Sequence, residues 1–202
     1  MKLLFTGFEP FDGESVNASY EAVCRLPDRI GNVQIIKAQL PTAFGGCVPV
    51  LEQILKAEQP DAVVCVGQAA GRAEITPEKV AINYADARIP DNAGIQPIDK
   101  ALVPQGETAY FSTLPIRSIV KKISDAGIPA KVSYTAGTFV CNCVMYHVLR
   151  IAKEQYPSMR AGFVHVPLTT EQAAQKQTPS LPLDAIVRAL VIAAEEIART
   201  AM

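Results

Sequence analysis

The sequence has no run of lysine or arginine, no long apolar stretch and only two histidines, His147 and His165. With no basic cluster and a formal net charge of −1, a nucleic-acid or anionic membrane surface has no electrostatic support. Nothing approaches the roughly 18 consecutive apolar residues of a membrane span. The opening MKLLFTGFEP holds one lysine and a short apolar run that Gly7, Glu9 and Pro10 end, too little for a signal-peptide core. A reducing cytoplasm is the expected compartment. The five cysteines, Cys24, Cys47, Cys65, Cys141 and Cys143, are odd in number and scattered, which excludes a disulfide framework. Two histidines and few clustered thiols leave no metal site to expect. There is no internal repeat, low-complexity tract or linker, so residues 1–202 read as a single domain.

What is present is an alternation of short apolar runs with helical patterns. KLLFT (2–6), VQIIKAQL (33–40), DAVVCVG (61–67), KVAINY (79–84), KVSYT (131–135) and AGFVHV (161–166) read as strands. Helices are expected over 19–26, 48–58, 115–127, 141–155 and 182–200. The third repeats Ile116, Ile119, Val120 and Ile123 before Gly127, and the last carries Leu183, Ile186, Val187, Leu190, Ala194 and Ile197 on one stripe. Strands apolar on both faces, alternating with helices, give an α/β sandwich with a mostly parallel sheet. Two segments break the rhythm. Residues 84–112 are polar and rich in Pro, Asp and Gly, and the loop 7–18 presents two phenylalanines. Such stretches in compact domains are usually functional or hold small hairpins of their own.

The chemistry centres on GTFVCNC (137–143). Cys141 falls where a strand pattern gives way to a helix. Free amides and the positive dipole end at a helix N-terminus stabilise a thiolate and can bind an oxyanion. Cys143 lies four residues before His147, on a shared helical face. The plainer reading there is a packed thiol beside a histidine on a mostly exposed face. His165 lies near the end of a buried strand run, where it is either a satisfied core histidine or, paired with Cys141, a group pointing into the crevice that a strand-to-helix cysteine would occupy. A thiol needs a base and the base an orienting acid. Glu78, Asp86, Asp91 and Asp99 are all candidates for that acid, and residue physics does not choose among them.

The runs GQAAGRAEITPEKVAIN (67–83), DARIPDNAGIQPID (86–99), AGTFVCN (136–142) and GFVHVPLTTEQ (162–172), with TGFEPFDGESVNAS (6–19) ahead of them, resemble the pyroglutamyl-peptidase I family over essentially the whole chain. The resemblance implies a three-layer α/β/α sandwich around a mostly parallel twisted sheet. It implies a cysteine exopeptidase acting on pyroglutamyl peptides, with no cofactor and a homotetrameric assembly. Carried onto matching positions, Cys141 becomes the nucleophile, His165 the base and Glu78 its orienting acid. Phe8, Phe11 and Phe139 would line the lactam pocket, with Gln68, Ile89 and Val140 at further pocket positions and Arg88 near the active site. Asp12 stands where the family often has Gly, Ala18 where Pro is common, and Ala93 where an acid is frequent. A different class is a nucleotide-binding or non-catalytic α/β protein. LLFTGFEPFDG is a strand followed by a Gly-containing loop, but it lacks the Lys-Ser/Thr of a P-loop and any G-x-G-x-x-G.

Overall fold

The computed structural model describes residues 1–174 and 176–201. In chain order the elements are β1 (Lys2–Phe8), α1 (Ala18–Cys24), β2 (Arg29–Ile30), β3 (Val33–Leu40), α2 (Phe44–Glu58), β4 (Ala62–Gln68), β5 (Thr76–Pro77), β6 (Val80–Ile82), β7 (Ala109–Phe111), α3 (Ile116–Asp125), α4 (Val140–Gln155), β8 (Arg160–Val166), β9 (Leu168–Thr169), α5 (Thr170–Ala173), β10 (Ser180–Leu181) and α6 (Leu183–Arg199).

Six strands form the central sheet in the order β2-β3-β1-β4-β8-β5. The inner strands β3, β1, β4 and β8 run parallel, and the outer β2 and β5 are antiparallel to their neighbours. The continuous apolar runs of the inner strands follow from burial on both faces. Leu3 and Phe5 of β1 enter the core beneath α1, α3 and α6, while Leu4 and Phe8 enter the core beneath α2 and α4. This period-two division of side chains makes the three layers.

Three expectations are revised. KVAINY leaves the main sheet: β6 pairs antiparallel with β7, and this hairpin closes the polar excursion between them. KVSYT forms no named strand. It runs beside β5 through isolated bridges, with Ser133 N donating to Pro77 O and Lys79 N to Ser133 O. Its partner β5 has only two residues, too short to sustain a ladder. Helix α2 begins at Phe44, four residues ahead of its expected start, despite Gly45 and Gly46. Its cap comes from far away in sequence: Asp91 Oδ2 accepts the Phe44 amide at 2.8 Å, as an acid at a helix N-terminus should.

The C-terminal ends of β1, β4 and β8 lie on one edge, which is where open α/β sheets present ligand sites. The loop after β1 turns there at Asp12 (φ 55°) and Gly13 (φ 74°). Position 12 is left-handed, a conformation that favours Gly, and Asp is among the few other side chains that tolerate it. Asp12 itself is exposed. The α5 region fastens this loop from above through Gln172 Nε2 to Val16 O at 3.2 Å and a Lys176–Glu14 ion pair.

Candidate active site

His165 and Gly67 are register partners in the parallel β4–β8 pair. Phe163, two residues before His165, lies on the same face of β8. A Cβ on Gly67 would fall 2.6 Å from Cζ of Phe163 and 2.9 Å from Sγ of Cys141. The cysteine sulfur therefore rests over Gly67, beside the strand position that carries His165, and only glycine leaves it room. Cys141 is the second residue of α4, whose N-cap Phe139 makes no side-chain capping bond. The first amides of the helix have no intrahelical partner by construction, which leaves donors at the helix start that carries the sulfur.

Glu78 is fully buried directly after β5. Its amide donates to Phe163 O at 2.9 Å, which seats its side chain next to β8. Glu78 Oε1 and His165 Nδ1 are 2.7 Å apart. A carboxylate only accepts, so Nδ1 carries the proton and Nε2 is left as the free lone pair. Arg72 Nη1 donates to the same Oε1 at 2.6 Å and to Thr76 Oγ1 at 2.6 Å, and Nη2 donates to Thr135 O at 3.1 Å. Of the rival acids, Asp91 serves the α2 cap, while Asp86 and Asp99 stay within the polar excursion, where Asp86 Oδ1 accepts the Asp99 amide at 3.4 Å.

The electrostatics differ from the helix-terminus expectation. Burial first, and the Glu78 charge second, push the Cys141 thiol up to about 12, with Arg72 opposing. Desolvation is the largest of these contributions, and it favours a resting thiol. Burial also holds the His165 imidazole below its ordinary range; Glu78 raises it and Arg72 lowers it further. At neutral pH the site thus pairs a neutral thiol with a neutral imidazole whose basic nitrogen is free.

Aromatic rings stand beside the start of α4. Phe139 packs on Phe11 at 6.2 Å between ring centroids and edge-on against Phe44 at 5.5 Å. Phe8 lies deeper, 2% exposed, against Phe163. Gln68 ends β4, and its Oε1 accepts from the Ala18 amide and from Gln172 Nε2, each at 2.8 Å. Ala18 supplies that amide hydrogen where a proline would have none. Val140 is buried as the first residue of α4 and Ile89 is half-buried. Arg88 is exposed and, among the described residues, makes no hydrogen bond or ion pair to Glu78 or His165. The arginine that touches the acid is Arg72, which the sequence reading left without a role, as it did Phe44.

Cys143 turns away from this group into the core beneath α2 and α4. A contact with Cys47 raises its thiol strongly. His147 is half-buried rather than mostly exposed, edge-on to Tyr146, and burial lowers its imidazole. Among the described residues no cluster of three His, Cys, Asp or Glu could hold a metal ion, and no helix is long and apolar enough to cross a membrane. A cavity of about 910 Å³ lies at the opposite edge of the sheet, lined by Met1, Asp61 and Arg160 among others, and contains none of these groups.

Comparison with known proteins converges on one family. The model of the family described as pyroglutamyl peptidase matches residues 1–200. The pyrrolidone-carboxylate peptidase of Enterococcus faecalis is 50% identical over 99% of this chain and 94% of its own. That of Bacillus subtilis is 52% identical over 96% and 90%. The crystal structure of pyroglutamyl peptidase I from Bacillus amyloliquefaciens superposes with a TM-score of 0.96 at 50% identity, covering 98% of this chain and 97% of that one. A mutant pyrrolidone carboxyl peptidase from the hyperthermophile Pyrococcus furiosus gives a TM-score of 0.96 at 41% identity over the full length of both chains. With the family model spanning almost every residue and half the sequence shared with its curated relatives, the chain belongs to the pyroglutamyl peptidase family.

Proposed function

We propose that the chain is a cysteine exopeptidase that releases N-terminal pyroglutamate (5-oxoproline) from peptides, with Cys141 as nucleophile, His165 as general base and acid, and Glu78 as the acid that orients His165. The observation that carries this reading is the Glu78–His165 bond of 2.7 Å in a buried site whose other face holds the Cys141 sulfur over Gly67.

The thiol proton passes to Nε2 of His165 as Sγ attacks the acyl carbon of the pyroglutamyl residue. A base below the usual imidazole range and a thiol well above the usual thiol range keep the proton on sulfur until substrate arrives. Attack and proton transfer are therefore coupled, and Glu78 stabilises the imidazolium that forms. Amides at the start of α4 receive the oxyanion. The imidazolium then protonates the departing amine, leaving a thioester. Water, deprotonated by His165, hydrolyses that thioester and releases pyroglutamate. Nucleophile, proton carrier and dipoles all come from the chain, so the scheme calls for no cofactor.

The lactam has no ammonium to recognise. A flat, neutral ring suits apolar and aromatic walls with a few polar contacts. Phe11 and Phe44, both packed on Phe139, offer those walls, and the family resemblance adds Phe8, Gln68, Ile89 and Val140 as further pocket positions. Arg88 is exposed, and the family resemblance puts it near the active site. The enzyme acts as one domain in the cytoplasm and assembles as a homotetramer, in line with the family resemblance. Ile95, Ile98, Phe111 and Tyr134 are the most exposed large apolar side chains among the described residues, and such an assembly has these to cover.

The loop after β1 is unsuited to phosphate. The first amides of α1 are already taken, Ala18 N by Gln68 and Ser19 N by Asn17 Oδ1, which disfavours a nucleotide-binding reading. Two reporters test the proposal: a pyroglutamyl anilide and a prolyl anilide, the same ring size with a free amine. The first is hydrolysed and the second is not. Cleavage of the prolyl reporter alone would overturn the assigned specificity.

A further inference from the structure

The carboxylate of Glu78 is held through one oxygen. Oε1 receives both His165 Nδ1 and Arg72 Nη1, at 2.7 and 2.6 Å, while the buried Oε2 has no hydrogen-bond partner among the described residues. Rotation of the carboxyl group is therefore restrained by these two bonds and by packing. A fully buried carboxylate also needs a compensating charge. His165 does not provide it in the resting state, because burial keeps the imidazole neutral. Arg72 does, from a side chain 26% exposed against 0% for Glu78. The guanidinium spans further. Its second nitrogen reaches Thr135 O, in the segment that leads into the helix of Cys141. One planar group thus ties the acid, the strand edge at Thr76 and the approach to the nucleophile, which suits arginine and not lysine.

We propose that Arg72 is a positioning residue for the peptidase reaction: its guanidinium fixes Glu78 Oε1 against His165 Nδ1 and offsets the carboxylate charge. This rests on the roles given above to Cys141, His165 and Glu78. The titratable groups that face His165 are Glu78 beyond β5, Arg72 beyond β4 and Cys141 on α4, with Cys65 of β4 and Cys47 of α2 behind the thiol. Glu78 favours the imidazolium and Arg72 disfavours it. Removal of the guanidinium therefore raises His165, and the acid limb of kcat/KM moves to higher pH.

The test is a pH profile of pyroglutamyl anilide hydrolysis for the intact enzyme, Arg72→Met and Arg72→Lys. Arg72→Met lowers kcat by about 10- to 100-fold, the cost of a misplaced catalytic group, with a smaller change in KM, and shifts the acid limb upward. Arg72→Lys keeps the charge and hence the wild-type limb, but recovers only part of kcat because it cannot bridge Glu78 and Thr135. An Arg72→Met limb at the wild-type position, with or without loss of rate or thermal stability, overturns the proposal, as does a lysine variant that shifts as far as methionine. An inactive wild-type enzyme would instead overturn the peptidase reading itself.

Discussion

Cys141→Ala lowers kcat/KM for a pyroglutamyl anilide by at least about 10⁴-fold, while Cys143→Ser keeps most of the wild-type turnover. The first figure is what losing the nucleophile of a covalent hydrolase costs when the oxyanion site and substrate pocket remain. The contrast comes from geometry. The two cysteines are separated by a single residue, but α4 turns them to different surroundings. One sulfur reaches the sheet edge over Gly67, and the other enters the core with Cys47. A serine at 143 places a hydroxyl in that core and costs about 1–3 kcal/mol of stability, read as a lower Tm, without touching the reacting atoms. Steady-state kinetics and thermal melts of both variants check the pair. Equal loss of turnover from both would end the assignment of Cys141.

Glu78→Gln reduces kcat by roughly 10³–10⁴-fold, because an amide no longer enforces the Nδ1-protonated tautomer of His165 and no longer stabilises the imidazolium. Its pH dependence separates this cause from misfolding. Burial sets the wild-type His165 below the ordinary imidazole value of about 6.5, so the acid limb of kcat/KM lies below that pH. Activity is present above the limb, where the base is neutral, and is lost as pH falls through it. Glu78 is the group that raises His165 against burial. Its removal moves the limb to still lower pH even as the rate collapses. The Arg72→Met limb moves the other way, so the two variants bracket the wild type. A Glu78→Gln limb at higher pH than wild type would contradict the electrostatic account.

Much of the framework is legible in the chain itself, for a physical reason in each case. VQIIKAQL coincides with β3, and AGFVHV with all but the first residue of β8, because inner parallel strands must be apolar on both faces. The amphipathic stripes of α3 and α6 locate those helices within a residue or two at each end. The misses share a different cause: they depend on groups distant in sequence. Helix α2 starts early because Asp91 caps it across 47 residues. KVSYT has strand composition, but its neighbour β5 offers two residues to pair with. The start of α4 pointed to Cys141 and the strand end to His165, but the acid needed the chain folded. Four carboxylates remain open in the sequence, and in the fold the Phe163–Glu78 backbone bond puts one of them beside the imidazole. Arg72 sits in a loop with no periodicity, and only its three bonds mark it. Sequence places Cys141 at a helix start but does not report the burial that raises its thiol.

The central claim is that the thiol at the start of α4, and no other, attacks the pyroglutamyl carbonyl. The most direct measurement is site mapping after inactivation with a pyroglutamyl chloromethyl ketone, with fragmentation that separates Cys141 from Cys143. The account predicts one label per chain, on Cys141, appearing in step with loss of activity and slowed by free pyroglutamate. A label on Cys143, Cys47 or Cys24 that tracks the lost activity would contradict it.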